Sequence, residues 1–158
     1  MRVRTFVVGV ALLGVMAVAT TVTGQSPDPW VGTWKVNLAK SKYSPGPAPK
    51  SSTLTIVVAD GGIKQTTDTV PATGAATHAE VTAKFDGKDY PVKGNPNADT
   101  QAYTKVDGRT YQVVAKKGGK VMITSRVVIS ADGKTRTTTQ TGTNPQGQAV
   151  NNTIVYDK

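Results

Sequence analysis

The chain has 158 residues, no cysteine, and a formal net charge of +9 from 19 lysines and arginines against 10 acids. That length suits one domain with a substantial core, and the missing cysteines exclude disulfides, thiolate catalysis, thiol metal sites and a lipid-modified N-terminal cysteine. The basic residues are scattered, and their densest run, Lys116-Lys117-Gly118-Gly119-Lys120, is broken by glycines that suit a hairpin tip. Nucleic-acid binding is therefore not expected, and attraction to an anionic membrane surface should be weak at most.

The chain begins Met1-Arg2-Val3-Arg4 and continues without charge from Thr5 to Gly24, with an apolar centre over Phe6–Val18. A charged start before such a stretch predicts a secretory signal peptide over residues 1–24 and an exported mature domain over residues 25–158. Cleavage could follow Ala19 or Gly24. The later site is favoured because Gln25-Ser26-Pro27-Asp28-Pro29 makes an extended polar start. An uncleaved anchor is the alternative, weakened by Thr20, Thr21 and Thr23. Loss of Arg2 and Arg4 lowers the formal charge from +9 to +7.

Beyond this segment no helical period survives, whereas apolar residues alternate and Thr and Val abound. Turn signals occur at Asp60-Gly61-Gly62, Asp86-Gly87, Asp107-Gly108, Gly118-Gly119, Asp132-Gly133 and Asn144-Pro145-Gln146-Gly147. Asp-Gly supplies the positive φ that tight hairpins need. Strands are predicted over 31–38, 52–59, 62–70, 77–85, 99–106, 109–117, 120–130, 134–142 and 149–157. Short links between successive strands give an all-β, antiparallel up-and-down meander, and about eight to nine strands favour closure into a barrel.

Alternation then assigns inward faces. Leu54, Ile56 and Val58 share one side, as do Ala79, Val81, Ala83 and Phe85. So do Tyr111, Val113 and Ala115, then Val121, Ile123, Val127 and Ile129 around Ser125, and finally Val150, Ile154 and Tyr156 around Asn152. Strand 134–142, with Arg136-Thr137-Thr138-Thr139-Gln140-Thr141, has no large apolar residue on either face. It is either a polar edge that resists aggregation or the wall of a polar interior. The Pro-rich run from Lys40 to Lys50 reads as an extended surface segment, a connection or a lid, of which connections are the commoner. Asn95-Pro96-Asn97-Ala98-Asp99 reads as an Asx-stabilised turn rather than a calcium loop, since it lacks the acidic spacing. Asn151-Asn152-Thr153 matches a glycosylation acceptor but falls within a predicted strand.

No catalytic constellation emerges. The single histidine, His78, shares its alternate face with Glu80, Thr82 and Lys84, opposite the apolar set, which makes it a solvent-facing side chain. Glu80 is the sole glutamate, and Asp60, Asp86, Asp107 and Asp132 all precede glycine at turns. A paired-carboxylate glycosidase is only formally open, because spatial separation is invisible in a sequence. No enzymatic activity, metal or cofactor is expected.

Gly32-Thr33-Trp34-Lys35, arriving behind Pro29-Trp30-Val31, resembles the Gly-x-Trp signature that opens lipocalins and fatty-acid-binding proteins. The resemblance implies a barrel whose closed end is plugged by Trp34, and Gly32 would let a neighbouring backbone approach. Val155-Tyr156-Asp157-Lys158 is similar to the closing strand of fatty-acid-binding proteins. That family's Arg-x-Tyr anchor is lacking, because Ile154 stands two residues before Tyr156, and the Pro-rich run replaces the helical lid, which moves the resemblance toward lipocalins. The run from Trp30 to Lys35 with Ser44–Lys50 also resembles a calycin-type group of exported bacterial proteins of unassigned function. The expected function is non-enzymatic binding or carriage of a small, partly apolar ligand inside the barrel. Trp34, Tyr111, Ile123, Arg136 and Tyr156 are the candidate lining, although inward tyrosines and isoleucines also serve simply to fill cores. A ligand-free domain that meets other envelope components through its basic surface or an edge strand is the competing expectation. The oligomeric state is left open.

Overall fold

A computed structural model describes residues 28–158; the predicted signal segment lies outside the described residues. Ten strands follow one another as β1 (Gly32–Val36), β2 (Ser51–Ala59), β3 (Gly62–Val70), β4 (Thr77–Ala83), β5 (Asp86–Lys93), β6 (Thr100–Lys105), β7 (Thr110–Lys117), β8 (Lys120–Ile129), β9 (Thr135–Thr143) and β10 (Ala149–Asp157). Each pairs antiparallel with its neighbours in sequence, and β1 pairs with both β2 and β10, so the meander closes into a barrel. The hairpin chemistry is local. At the β2–β3 link Asp60 and Gly61 take φ of 49° and 73°, the two successive positive values that match a tight turn to strand twist.

One strand was not anticipated. Asp86-Gly87 reads as a turn, yet Asp86 opens β5 opposite Thr104 of β6, and the pairing shifts register before Asp89. Three features conceal it: Gly87 serves an irregular stretch instead of a hairpin, its residues are almost all exposed, and Pro91 interrupts the run. Closure also removes the polar-edge option for 134–142, because β9 lies between β8 and β10 with continuous pairing on both sides. Two inward assignments change near hairpin tips. Val58 is 72% exposed at the projecting β2–β3 tip, and Val121 is 51% exposed beyond a register shift between Ala115 and Lys116.

Strand β1 is short, and the seam it forms with β10 has only the partners Lys35–Asp157 and Val36–Tyr156. After a 3-10 turn at Leu38–Lys40 the chain seals the rest: Lys42 bridges Thr153, and Asn151 donates its backbone N–H to the Ser44 carbonyl at 2.7 Å. The Pro-rich run is thus a connection that completes the wall.

The core gathers at one end of the barrel. Trp30 and Trp34 are fully buried, and Trp34 Nε1 donates to the Trp30 carbonyl at 3.0 Å. The Trp30 ring meets Tyr111, Phe85 and Tyr103 edge-on, with centroids 4.2, 6.1 and 6.4 Å away. Trp34 therefore packs at the closed end, as the Gly-x-Trp resemblance implies. Gly32 differs from its expectation: a Cβ there would meet the flexible Lys158 side chain, whose Nζ lies 4.9 Å from the Trp34 ring centroid, rather than a neighbouring backbone.

Asp28 fastens the entering chain beneath this floor. Its carboxylate accepts from the Trp30 backbone N–H at 3.0 Å, the Tyr111 hydroxyl at 2.5 Å and Lys105 Nζ at 2.7 Å. Burial alone would raise its pKa, but these donors together hold it below the usual carboxylate value. A lowered folded-state pKa stabilises above the unfolded pKa and ceases to do so as pH falls through the folded one. Asp28→Asn should therefore cost about 1–2 kcal/mol at neutral pH, the scale of a charged hydrogen bond. In urea melts the difference from the unmodified protein should shrink once the pH drops below about 4. A gap independent of pH would assign the loss to packing.

Candidate functional site

The register stacks the inward side chains of three neighbouring strands into layers. At the floor, Arg136 of β9 faces Ile129 of β8 and Tyr156 of β10. One layer up, Thr138 lies between Val127 and Ile154. Next, Gln140 lies between Ser125 and Asn152, and Gly142 is opposite Ile123 and Val150. Gly142 must lack a side chain, since its φ is 147° and a Cβ would strike the Met122 carbonyl.

Above the aromatic floor is a cavity of about 480 Å³. Leu54, Val81, Tyr103, Val127 and Ile154 supply apolar wall, while Gln65, Thr67, Thr69, Thr138 and Gln140 supply amides and hydroxyls. The cavity reaches the loops around Pro71 and Asn95–Asn97 at the far end. A second chamber of about 250 Å³, lined by Ala115, Ile123, Val150 and Asn152, shares Gln101, Val113, Ser125 and Gln140 with the first. The Asn95 loop at this mouth is the expected Asx turn, with Asn97 N–H donating to Asn95 Oδ1 at 2.9 Å.

The predicted residues are distributed unevenly. Arg136 and Tyr156 line the main cavity and Ile123 the second chamber. Trp34 and Tyr111 are not on either wall; both are packed into the floor, Trp34 on the Trp30 carbonyl and Tyr111 on Asp28. Sequence reasoning missed Trp30, whose ring centroid lies 4.2 Å from the Arg136 guanidinium carbon. It also missed Gln65, and it left Thr138 and Gln140 open between a polar edge and the wall of a polar interior.

Arg136 dominates the electrostatics. It is 5% exposed, forms no ion pair among the described residues, and its Nε and Nη1 have no hydrogen-bond partner. Tyr156 adds a second ring at 5.8 Å. Burial pulls the guanidinium pKa down to about 10, so it is still charged at neutral pH. Gln65 Oε1 and Thr138 Oγ1, on the same walls, are likewise buried without partners. Burial pushes the Tyr103 and Tyr156 hydroxyls above their ordinary value, so both are neutral.

His78 is on the outer wall, as expected, but it is not alone: Nδ1 is 2.6 Å from Asp68 and Nε2 is 3.4 Å from Glu80. The Asp68 hydrogen bond, then that of Glu80, raises its pKa. This exposed cluster is separate from the cavity floor, and Glu80 also pairs with Lys64 at 3.2 Å.

The chain matches no family model and no curated protein. Fold and site together define a closed, ten-stranded antiparallel barrel with an internal cavity, an architecture compatible with the calycin type.

Proposed function

We propose that this domain is a non-enzymatic, lipocalin-like binding protein that holds one small, partly apolar molecule inside the barrel. The observation that carries this reading is the 480 Å³ interior cavity with its mixed wall, within the size range of about 300–1,000 Å³ usual for small-molecule sites. A barrel serving only as an interaction module gains nothing from a half-polar internal cavity, since close-packed cores are the stable solution. The signal-like residues 1–24 support an exported setting, periplasmic or extracellular, for that binding.

Val113 borders both chambers and is 8% exposed, which makes it the position at which to fill them. Val113→Trp should reduce binding of the uncharged fluorophore N-phenylnaphthylamine at least tenfold while the barrel still melts cooperatively. Unchanged fluorescence titrations would place the probe on the outer surface and remove the carrier reading.

A further inference from the structure

We propose that the cavity selects an organic monoanion, a carboxylate or sulfonate on a neutral body, and seats its oxygens on the guanidinium of Arg136. This rests on the cavity being a binding site.

Arg136 has two alternatives to holding an anion, and neither accounts for its surroundings. It could be one half of a structural ion pair, but among the described residues no carboxylate lies within ion-pair distance of it. Or it could be a pillar stacked between Trp30 and Tyr156. Stacking engages only the faces of the guanidinium plane, while hydrogen bonds leave from its edge, and there Nε and Nη1 are unmet. Attraction to the ring faces offsets only part of the cost of stripping water from a charge. An oxyanion in the plane of the guanidinium supplies what is missing, and a rigid fork of donors suits two oxygens on one atom.

The charge of the ligand follows from the lining. Among the described residues Arg136 is the one cation on either cavity wall, and the one acid on them, Glu80, is already engaged by Lys64. One negative charge is balanced at the floor, whereas a second, as on a phosphate dianion, finds no counter-charge. The layers above then describe the body. Thr138, between Val127 and Ile154, offers one unmet hydroxyl in an apolar ring. Beyond it is the amide belt of Gln140, held by Asn152 Nδ2 at 3.0 Å; on the β3 wall, beside Ile56 and Val81, the unmet Gln65 Oε1 calls for a donor. The fitting molecule has its anion innermost, an apolar middle and a polar end toward the mouth.

Two fluorophores with nearly the same ring body test this: anilinonaphthalene sulfonate, a monoanion, and N-phenylnaphthylamine, which lacks the sulfonate. The full domain should bind the sulfonate about tenfold more tightly than the neutral amine, a comparison that needs no variant. Arg136→Gln should cost the sulfonate about 10–100-fold, the range of a charge-assisted hydrogen bond, and move the amine less than twofold. Lys120→Gln, the same charge change on an exposed hairpin, should move neither. If the amine binds and is displaced by Val113→Trp, but Arg136→Gln affects both probes alike or Lys120→Gln costs the sulfonate as much, the anion seat is overturned and the cavity reading stands. If neither probe binds the unmodified protein, the cavity reading falls and takes the anion seat with it.

Discussion

Trp34→Ala should remove about 3–5 kcal/mol of stability, the usual loss on emptying a large buried aromatic site. Trp34 has no exposed surface, and its indole N–H is the donor to the Trp30 carbonyl. The substitution therefore opens a cavity and strands a buried acceptor, and both terms have the same sign. Its consequence extends past β1, because the Trp30 carbonyl belongs to the residue on which Arg136, Tyr111, Phe85 and Tyr103 all pack. Against a typical domain stability of about 5–15 kcal/mol the loss is a large fraction. Urea melts should show a lower midpoint with an unchanged slope, whereas Leu38→Ala, at a 40% exposed site, should stay within about 0.5 kcal/mol of the parent. A Trp34→Ala loss below about 1 kcal/mol would mean that the closed end does not depend on this side chain.

The parts of the barrel legible from the sequence are those where turn chemistry and alternation agree. β2, β7, β8 and β10 each have an apolar face and a turn residue at an end, so their pairing follows from the hairpins. β5 escapes because its glycine occupies an irregular stretch and its exposed residues give no period. The site is the less legible part, since an apolar-in, polar-out rule assigns polar residues outward and a ligand chamber needs some of them inside. The information was nevertheless present at Asp132-Gly133. A hairpin centred on that pair sets Arg136 opposite Ile129, and cross-strand partners point to the same side of a sheet. Ile129 reads as inward from its own strand, so Arg136, Thr138 and Gln140 must be inward too. Trp30 offers no such route: it precedes β1, and contacts far along the chain, among them those of the Asp28 carboxylate with Lys105 and Tyr111, fix where its ring goes.

Replacing Arg136 by an apolar residue should make the ligand-free protein more stable, not less. Arg136→Met removes a charge whose burial pulls its pKa well below the ordinary arginine value, to about 10, and taking a charge out of water costs several kcal/mol. Against this stands the stacking on Trp30 and Tyr156, 4.2 and 5.8 Å from the guanidinium carbon, worth about 2 kcal/mol for a desolvated contact. Met has a similar length and keeps contact with both rings through its thioether, and at Nε and Nη1 the variant strands no partner among the described residues. The balance favours a gain of about 1–2 kcal/mol, opposite in sign to the usual core substitution. Saturating anilinonaphthalene sulfonate should reverse the order, raising the melting temperature of the unmodified protein through the binding linkage while doing little for Arg136→Met. A variant that melts well below the parent without any probe would show that the guanidinium holds the floor together; its stacking would then outweigh its desolvation, and the unmet Nε and Nη1 would be a tolerated cost of the fold.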